Sequence, residues 1–252
     1  MALIIKRTVI LMFVLLIVAS VRAEGLFEGL SYNLRVGYSL GGTLPVGFPA
    51  SIRKINSVKL TNNLQLGVDA KHSFDDHWGL MAGIHFENKG MNGDANVKSY
   101  HVKLIRGGQT LEGSYTGDVK IKVARWMFTV PVMATYTIGK VTLKAGPYVS
   151  FISSNTFEGY AHNGYLRVAN PTGPKVQIGN TPDTKGTYDF SDKMRHFNWG
   201  LNGGADWYFN KKTGIYADIS WGLQGIFHSD FNVVEQTLYP VFGTVGIIYK
   251  LK

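Results

Sequence analysis

Residues 32–40 have the sequence Tyr-Asn-Leu-Arg-Val-Gly-Tyr-Ser-Leu, in which apolar side chains alternate with polar or small ones. Successive residues of a β-strand point to opposite faces of a sheet, so this order creates one wholly apolar face. The alternation predicts a strand with an apolar environment on one side only. The apolar face consists of Tyr32, Leu34, Val36, Tyr38 and Leu40.

The same alternation occurs in seven further segments of the chain, and each of them predicts a strand. Together the eight apolar faces contain 42 positions and no charged residue, although 17% of the whole chain is charged. The opposite faces carry charged and amide side chains and many glycines. The seven segments are residues 64–70, 78–86, 126–136, 141–151, 197–207, 215–223 and 241–249.

The polar faces of these strands suit the narrow interior of a small barrel. A soluble sandwich or a lipocalin is the alternative, but such a fold would place the apolar faces inside and the charges outside. Tryptophan and tyrosine residues cluster near strand ends on the apolar faces, as in the aromatic girdles of lipid-facing barrels. Strands of about 9–11 residues are long enough to cross a bilayer when tilted. We therefore predict an all-β fold, an eight-stranded antiparallel up-and-down transmembrane β-barrel.

The composition excludes several other classes of protein. The chain has 252 residues, of which 17% are charged, whereas soluble proteins have about 25%. Apart from the N-terminal segment, no apolar stretch reaches the roughly 18 residues that a spanning helix needs. The chain contains no cysteine, so disulfides and thiolate metal sites are not available to it.

Residues 1–23 are predicted to be a signal peptide, and residues 24–252 the barrel domain. A basic start at Lys6 and Arg7 precedes an apolar core and a small-x-small cleavage site at residues 21–23. A retained membrane anchor is the alternative, but the apolar core of about 13 residues is shorter than the roughly 20 that an anchor needs. Without this segment the chain keeps 23 basic and 17 acidic residues, a net charge of +6.

The connections between the predicted strands alternate between short and long. Outer-membrane barrels have their short connections in the periplasm, and an even number of strands then places both chain termini there. The tight turns are residues 73–77, 138–140 and 210–213, and the long loops are residues 42–62, 90–125, 152–196 and 226–238.

Two local features modify this plan. Within the second long loop, the residues on either side of Gly107-Gly108 are predicted to extend the adjacent strands as a hairpin. Pro131 and Pro147 lie inside predicted strands and lack an amide donor, so we expect bulges or kinks there.

The C-terminal segment matches the loose polar-x-Gly-x-x-aromatic-x-hydrophobic signal by which bacterial barrels are recognised for membrane insertion. An ordinary last strand, which shows most of the same alternation, is the alternative. Lys252 extends one residue past the usual hydrophobic end. The predicted insertion signal comprises Thr244, Gly246, Tyr249 and Leu251.

Three segments carry a family resemblance: Leu-Met-Ala-Gly-Ile-His-Phe-Glu-Asn-Lys-Gly at residues 80–90, Phe-Thr-Val-Pro-Val-Met-Ala-Thr-Tyr at residues 128–136, and Ala-Gly-Pro-Tyr at residues 145–148. They resemble the PorT-like outer-membrane β-barrel family of Bacteroidetes, across the strands but not in the loops. The resemblance implies an eight-stranded barrel of the OmpX and OmpA kind. Functions in the family are mostly unassigned, and the type IX secretion role of one namesake member does not transfer by membership. Thr129 and Thr135 stand where the family usually has an acidic and a basic residue, so an interior ion pair is expected to be absent.

No catalytic, cofactor or metal site is predicted, and we expect that the protein is not an enzyme. Lipid-modifying enzymes and proteases among small outer-membrane barrels need His near Ser or Asp at the rim. His228-Ser229-Asp230 has these residue types, but adjacent residues of an extended chain point to opposite faces and form no relay. Asp75-Asp76-His77 resembles a metal motif, yet it occupies a tight turn, where Asp is favoured for local backbone hydrogen bonds.

The predicted lumen is closed, because eight strands enclose only enough room for side chains. Polar groups cut off from water must pair. Asp206 and Asp218 point inward at similar distances from a tight turn, and Lys144 is the nearest candidate cation. The alternative is that Lys144 extends into periplasmic water. We predict a structural cluster of inward-facing charges that comprises Arg35, Asp69, Glu87, Lys144, Asp206 and Asp218.

The basic charge lies in the long loops, which account for +5 of the +6. Lipopolysaccharide phosphates are a physical partner for such cations, although a solvated surface is the simpler interpretation. Other expected partners are outer-membrane lipids, the barrel-insertion machinery and a protein bound by the loops, and nucleic acid is not expected. The expected function is surface interaction or envelope integrity. A component of secretion or gliding machinery is the alternative, and a lipid-modifying enzyme is the third hypothesis.

The long loop at residues 152–196 is predicted to face the outside of the cell. A protease site engineered near Gly173, in a turn-rich Pro-Thr-Gly-Pro stretch, should be cut when protease is added to intact cells. Cleavage only after cell lysis would contradict this orientation.

Overall fold

The computed structural model describes residues 29–251, except for residues 46, 48, 232 and 235. The predicted signal peptide, residues 1–23, lies outside the described residues. In the described part, no helix is long and apolar enough to cross a membrane. The elements in chain order are β1 (Leu30–Pro45), β2 (Ile52–Leu60), β3 (Leu64–Ser73), β4 (Trp78–Arg106), β5 (Gln109–Ile138), β6 (Val141–Val168), β7 (Lys175–Ile178), β8 (Gly186–Asp189), a 3-10 turn (Ser191–Lys193), β9 (Phe197–Tyr208), β10 (Thr213–Gly222) and β11 (Leu238–Lys250).

Eight of these strands form a closed ring in which each strand is antiparallel to both neighbours. The ring follows chain order through β1, β3, β4, β5, β6, β9, β10 and β11. It closes where β11 pairs with β1, from Asn33 opposite Lys250 to Pro45 opposite Leu238. A closed ring leaves no unpaired backbone edge in lipid. The predicted eight-stranded up-and-down barrel is confirmed.

The predicted apolar faces point away from the lumen. On β10, Ile219 and Trp221 are exposed by 64% and 48%, whereas Tyr216 and Asp218 on the other face are buried. The same alternation on the other ring strands surrounds the barrel with an apolar belt. Such a belt is stable against lipid, whereas water would have to cover many large apolar side chains. The soluble alternatives, a sandwich and a lipocalin, are therefore wrong.

Three ring strands continue far beyond the ring at the end opposite the tight turns. A strand needs about 10 residues to cross a membrane, but β4, β5 and β6 have 29, 30 and 28. β2 pairs with β4, and β7 and β8 pair with β6. We call this projecting part the head; it comprises residues 49–63, 90–125, 152–196 and 223–237.

The prediction of long loops is therefore wrong for most of residues 42–62, 90–125 and 152–168, which are strands. The predicted hairpin around Gly107-Gly108 is confirmed, because β4 and β5 pair up to Arg106 opposite Gln109. The reason is a change in pattern: in the head the inward face is apolar, and in the ring it is polar. The head has its own hydrophobic core, formed mainly by Met91, Val97, Val102, Leu104, Tyr115, Val123, Phe157, Ala161, Leu166, Ile178, Tyr188, Met194 and Ile226.

Two tyrosine hydroxyls in the core of the head donate hydrogen bonds to backbone oxygens. The hydroxyl of Tyr115 donates to the backbone oxygen of His162 at 2.5 Å, and burial raises the pKa of this hydroxyl. The hydroxyl of Tyr188 donates to the backbone oxygen of Lys120 at 2.7 Å. Both rings can thus lie in an apolar core without leaving an unpaired donor.

The prolines of the ring do not distort it as predicted. Around Pro131 the pairing of β5 with β4 has the same register on both sides, with Ala82 opposite Val132 and His85 opposite Thr129. Pro147 of β6 stays opposite Leu201 of β9. The expected bulges at Pro131 and Pro147 are wrong, because each ladder can omit a donor without a change of register.

Two neighbouring residues allow a direct test of the core of the head. Leu104 is completely buried and Ile105, next to it on β4, is 51% exposed. Leu104→Ala should destabilise the head by about 2–5 kcal/mol, because it removes buried methyl groups and leaves a cavity. Ile105→Ala, the matched control, should change stability by less than about 0.5 kcal/mol. Hydrogen exchange of the hairpin amides measures both effects, and equal effects would contradict a packed core.

Candidate functional site

The lumen is crossed by a network of charges centred on Arg35 of β1. The Arg35 side chain is fully buried, and its Nε donates to Asp69 of the neighbouring strand β3. Its two other nitrogens lie 2.6 Å from Asp206 of β9 and 3.6 Å from Asp218 of β10. The planar guanidinium group, with donors on three sides, suits such simultaneous pairing. Arg35 therefore connects carboxylates from three strands.

Lys144 of β6 joins the same network from the opposite wall. Its Nζ lies 2.6 Å from Asp206 and 2.8 Å from Asp218, and its side chain has no exposed surface. Two carboxylates so close to each other would repel, and the lysine and the arginine between them offset this repulsion. The alternative interpretation, in which Lys144 extends into water, is wrong.

His85 and Tyr216 also belong to this network, and sequence reasoning did not assign them to it. His85 Nε2 lies 2.8 Å from Asp69 Oδ1. The Tyr216 ring packs 4.7 Å from the Arg35 guanidinium carbon and 5.3 Å from Lys144 Nζ, within cation–π range. Strand alternation predicts that both side chains face the lumen, and this is the sequence signal that could have identified them. We call Arg35, Asp69, His85, Lys144, Asp206, Tyr216 and Asp218 the Arg35 cluster.

Glu87 lies in a separate group nearer the head, although it was predicted in one cluster with Arg35. Its carboxylate pairs with Lys89 Nζ at 3.1 Å and accepts a hydrogen bond from Thr129. Thr129 thus supplies a hydroxyl donor to Glu87. Gln65 links the two groups, since it donates to Glu87 at 3.1 Å and accepts from Tyr216 at 2.7 Å.

The space left in the lumen is small. A cavity of about 10 Å³ lies between the Arg35 cluster and Glu87, which leaves room for about one water molecule at most. A wider cavity of about 550 Å³ opens at the end with the tight turns and extends to Asp206. Side chains therefore block the lumen across its width.

The residues of the predicted insertion signal lie on and just after β11. Thr244 faces the lumen, where its hydroxyl bonds with that of Ser39 at 2.8 Å. Tyr249 faces outward and is 40% exposed, and Leu251 follows the end of the strand. Gly246 faces the lumen beside the ring of Tyr216. Recognition by the insertion machinery stays a prediction.

Two short motifs resemble functional sites in sequence, Asp75-Asp76-His77 a metal site and His228-Ser229-Asp230 a catalytic site, and both make backbone hydrogen bonds. Asp75 Oδ1 accepts from the backbone amides of His77 and Trp78, both at 2.7 Å, and these bonds lower the pKa of the carboxyl. His228 is bonded through its backbone amide to Lys193. Across the described ranges, no group of three or more His, Asp or Glu side chains is arranged to hold a metal ion.

The match to a family model agrees with the ring of strands. A family model described as an outer membrane protein beta-barrel domain matches residues 20–228. No curated protein sequence matches the chain. Among solved structures, Ail of Yersinia pestis in complex with the heparin analogue sucrose octasulfate is 11% identical, with a TM-score of 0.38, covering 89% of this chain and 100% of Ail. Neisserial surface protein A is 8% identical, with a TM-score of 0.37, covering 89% of this chain and 98% of its own.

The pairing of Lys144 can be tested by mutation. Lys144→Met should lower the free energy of unfolding by about 3–5 kcal/mol, because it leaves two buried carboxylates short of a cation. Adding Asp206→Asn should recover part of the loss. Urea unfolding of the barrel in detergent measures both, and Lys140→Met, in an exposed turn, is the matched control.

If Lys144→Met changed stability by no more than about 0.5 kcal/mol, as expected for an exposed pair, the cluster would have to be abandoned. The lumen would then be interpreted as hydrated.

Proposed function

Because this chain belongs to the family of outer membrane protein beta-barrel domains, we propose that it is a non-enzymatic barrel that displays a folded head for surface interaction or envelope integrity. One observation carries the proposal: β4, β5 and β6 continue past the ring and build a head with its own hydrophobic core, whereas the lumen below is blocked. We therefore assign the binding function to the head, which projects beyond the membrane.

The orientation follows from the connections. The three tight turns lie at the same end of the ring as Leu30 and Lys250. Short connections of outer-membrane barrels lie in the periplasm. The proposed arrangement therefore has both chain termini in the periplasm and the head outside the cell.

Lipopolysaccharide is the proposed lipid partner of the head. Within the described residues, Lys120 and Lys122 lie near Asp94 and Glu158, at 3.8 and 2.7 Å, which offsets their charge. The cations of β2 are Arg53, Lys54 and Lys59. Among the described residues, none of them has a carboxylate partner of this kind. β2 ends only three residues before β3 enters the ring, so Lys59 lies near the phosphate level of the membrane, and Lys54 and Arg53 lie five and six residues further out along β2.

A protein partner, including a secretion or gliding component, is the second candidate. β2 pairs only with β4 among the described strands, so its other edge offers backbone groups for pairing. Leu60 on this strand is 51% exposed. Affinity capture from native outer membranes separates the candidates, because a protein that binds the parent chain but not a variant with proline in β2 favours the second.

The blocked lumen predicts the behaviour of the purified protein in planar bilayers. We expect no stable, reproducible conductance steps, because the Arg35 cluster and the Glu87 group fill the cross-section. A wide porin reconstituted in parallel controls for insertion. Large ohmic openings of uniform size would contradict the sealed lumen, as would loss of small-solute uptake on deletion of the gene.

A further inference from the structure

A partly open apolar cavity of about 140 Å³ lies in the head, next to its hydrophobic core. It is separate from the lumen and from the lysines of β2. One wall consists of aromatic rings, those of Phe157, Tyr188 and Phe190, and the facing walls are aliphatic. The aliphatic walls are formed mainly by Ile52, Met91, Val97, Val102, Val119, Ile121 and Leu238.

The lining offers almost no polar group to a ligand. The hydroxyl of Tyr188 is already bonded to the backbone oxygen of Lys120 at 2.7 Å, so Tyr188 presents its ring to the cavity. A water molecule needs two to four polar partners to be stable in a cavity. This cavity therefore favours an apolar occupant over water.

The size of the cavity limits the occupant. An apolar cavity of about 150 Å³ in a protein stays dry and takes up benzene or xenon. The rings of the aromatic wall contact one another, with Tyr188 and Phe190 stacked at 5.4 Å between centroids. A ligand with an aromatic ring gains an edge-to-face or offset contact with such a wall.

The route into the cavity runs along β2. Ile55 and Val58 line the cavity and are 43% and 48% exposed, so they belong both to its wall and to the surface. β2 is an edge strand, held by β4 on one side only within the described chain.

We propose that this cavity binds an uncharged apolar molecule of about the size of one benzene ring. This goes beyond the proposed surface role, because it assigns a small-molecule site inside the head. It does not depend on which partner the outside of the head contacts.

The first test locates the site. Crystals of the full mature chain are pressurised with xenon or soaked with iodobenzene, and the anomalous scattering is mapped. We expect a peak between Val97 and Tyr188. Absence of a peak in the cavity would overturn the proposal.

The second test measures affinity and chemistry. Toluene is titrated calorimetrically into the protein in lipid nanodiscs, with empty nanodiscs subtracted, and phenol and benzoate are compared with it. We expect a Kd for toluene below about 1 mM and at least tenfold weaker binding of phenol and benzoate, since the lining leaves their polar groups unpaired. Equal affinity for benzoate, or toluene binding weaker than 1 mM, would overturn the proposal.

A filled variant serves as the control for both tests. Ala95→Phe places a ring in the cavity and should abolish the xenon peak and toluene binding while the head stays folded. Lys103→Phe adds the same ring at a half-exposed position outside the cavity and should bind toluene like the parent chain. Binding that survives in Ala95→Phe would show that the probe lies elsewhere and would also overturn the proposal.

Discussion

The chain crosses lipid only because its eight ring strands pair around a closed ring, which leaves no open strand edge in the hydrocarbon region, and the pairing of β11 with β1 completes this ring. With eight strands this closure leaves a lumen no wider than its side chains. Inward polar groups are then cut off from water, and each of them needs a partner in the lumen. Arg35 meets this need for three strands at once, since it pairs with Asp69, Asp206 and Asp218. The salt-bridge network is thus a consequence of ring closure, and its paired side chains fill the lumen.

The same strands follow the opposite rule once they leave the membrane. In the ring the surroundings outside are lipid, so apolar side chains such as Leu80 and Phe86 face outward. In the head the surroundings are water, and the inward side chains of the same strand β4, for example Val102 and Leu104, are apolar and buried. The position of this inversion on β4, between Lys89 and Met91, marks the boundary of the membrane on that strand. One continuous strand therefore has two cores, a polar one below and an apolar one above.

This inversion also explains which parts of the fold were predictable from the sequence. The alternation of apolar and polar residues, which continues for about ten residues, identified all eight ring strands and the faces they present. Strand alternation and the distance from the tight turn at residues 210–213 predict that Asp206, Asp218 and Lys144 lie close together. The salt bridges between them show this proximity. Residues 152–168 do not show the outward apolar face that identifies the ring strands, because in the head the apolar residues lie on the inward face. His85 was missed because parity gives its direction but not its distance from Asp69, which depends on the stagger between β3 and β4.

A ligand can bind in the head at a lower free-energy cost than in the lumen. In the Arg35 cluster and the Glu87 group the charges are already paired, and removing one partner of such a buried pair costs about 3–5 kcal/mol. A ligand that recruited Arg35 or Lys144 would have to replace two or three existing ion pairs with equal geometry. The head carries no such restriction, because its cations on β2 lie at the surface and its apolar cavity has unfilled volume. Binding in the head costs the ring none of its internal pairs, so the barrel can remain rigid and closed while the head changes its contacts.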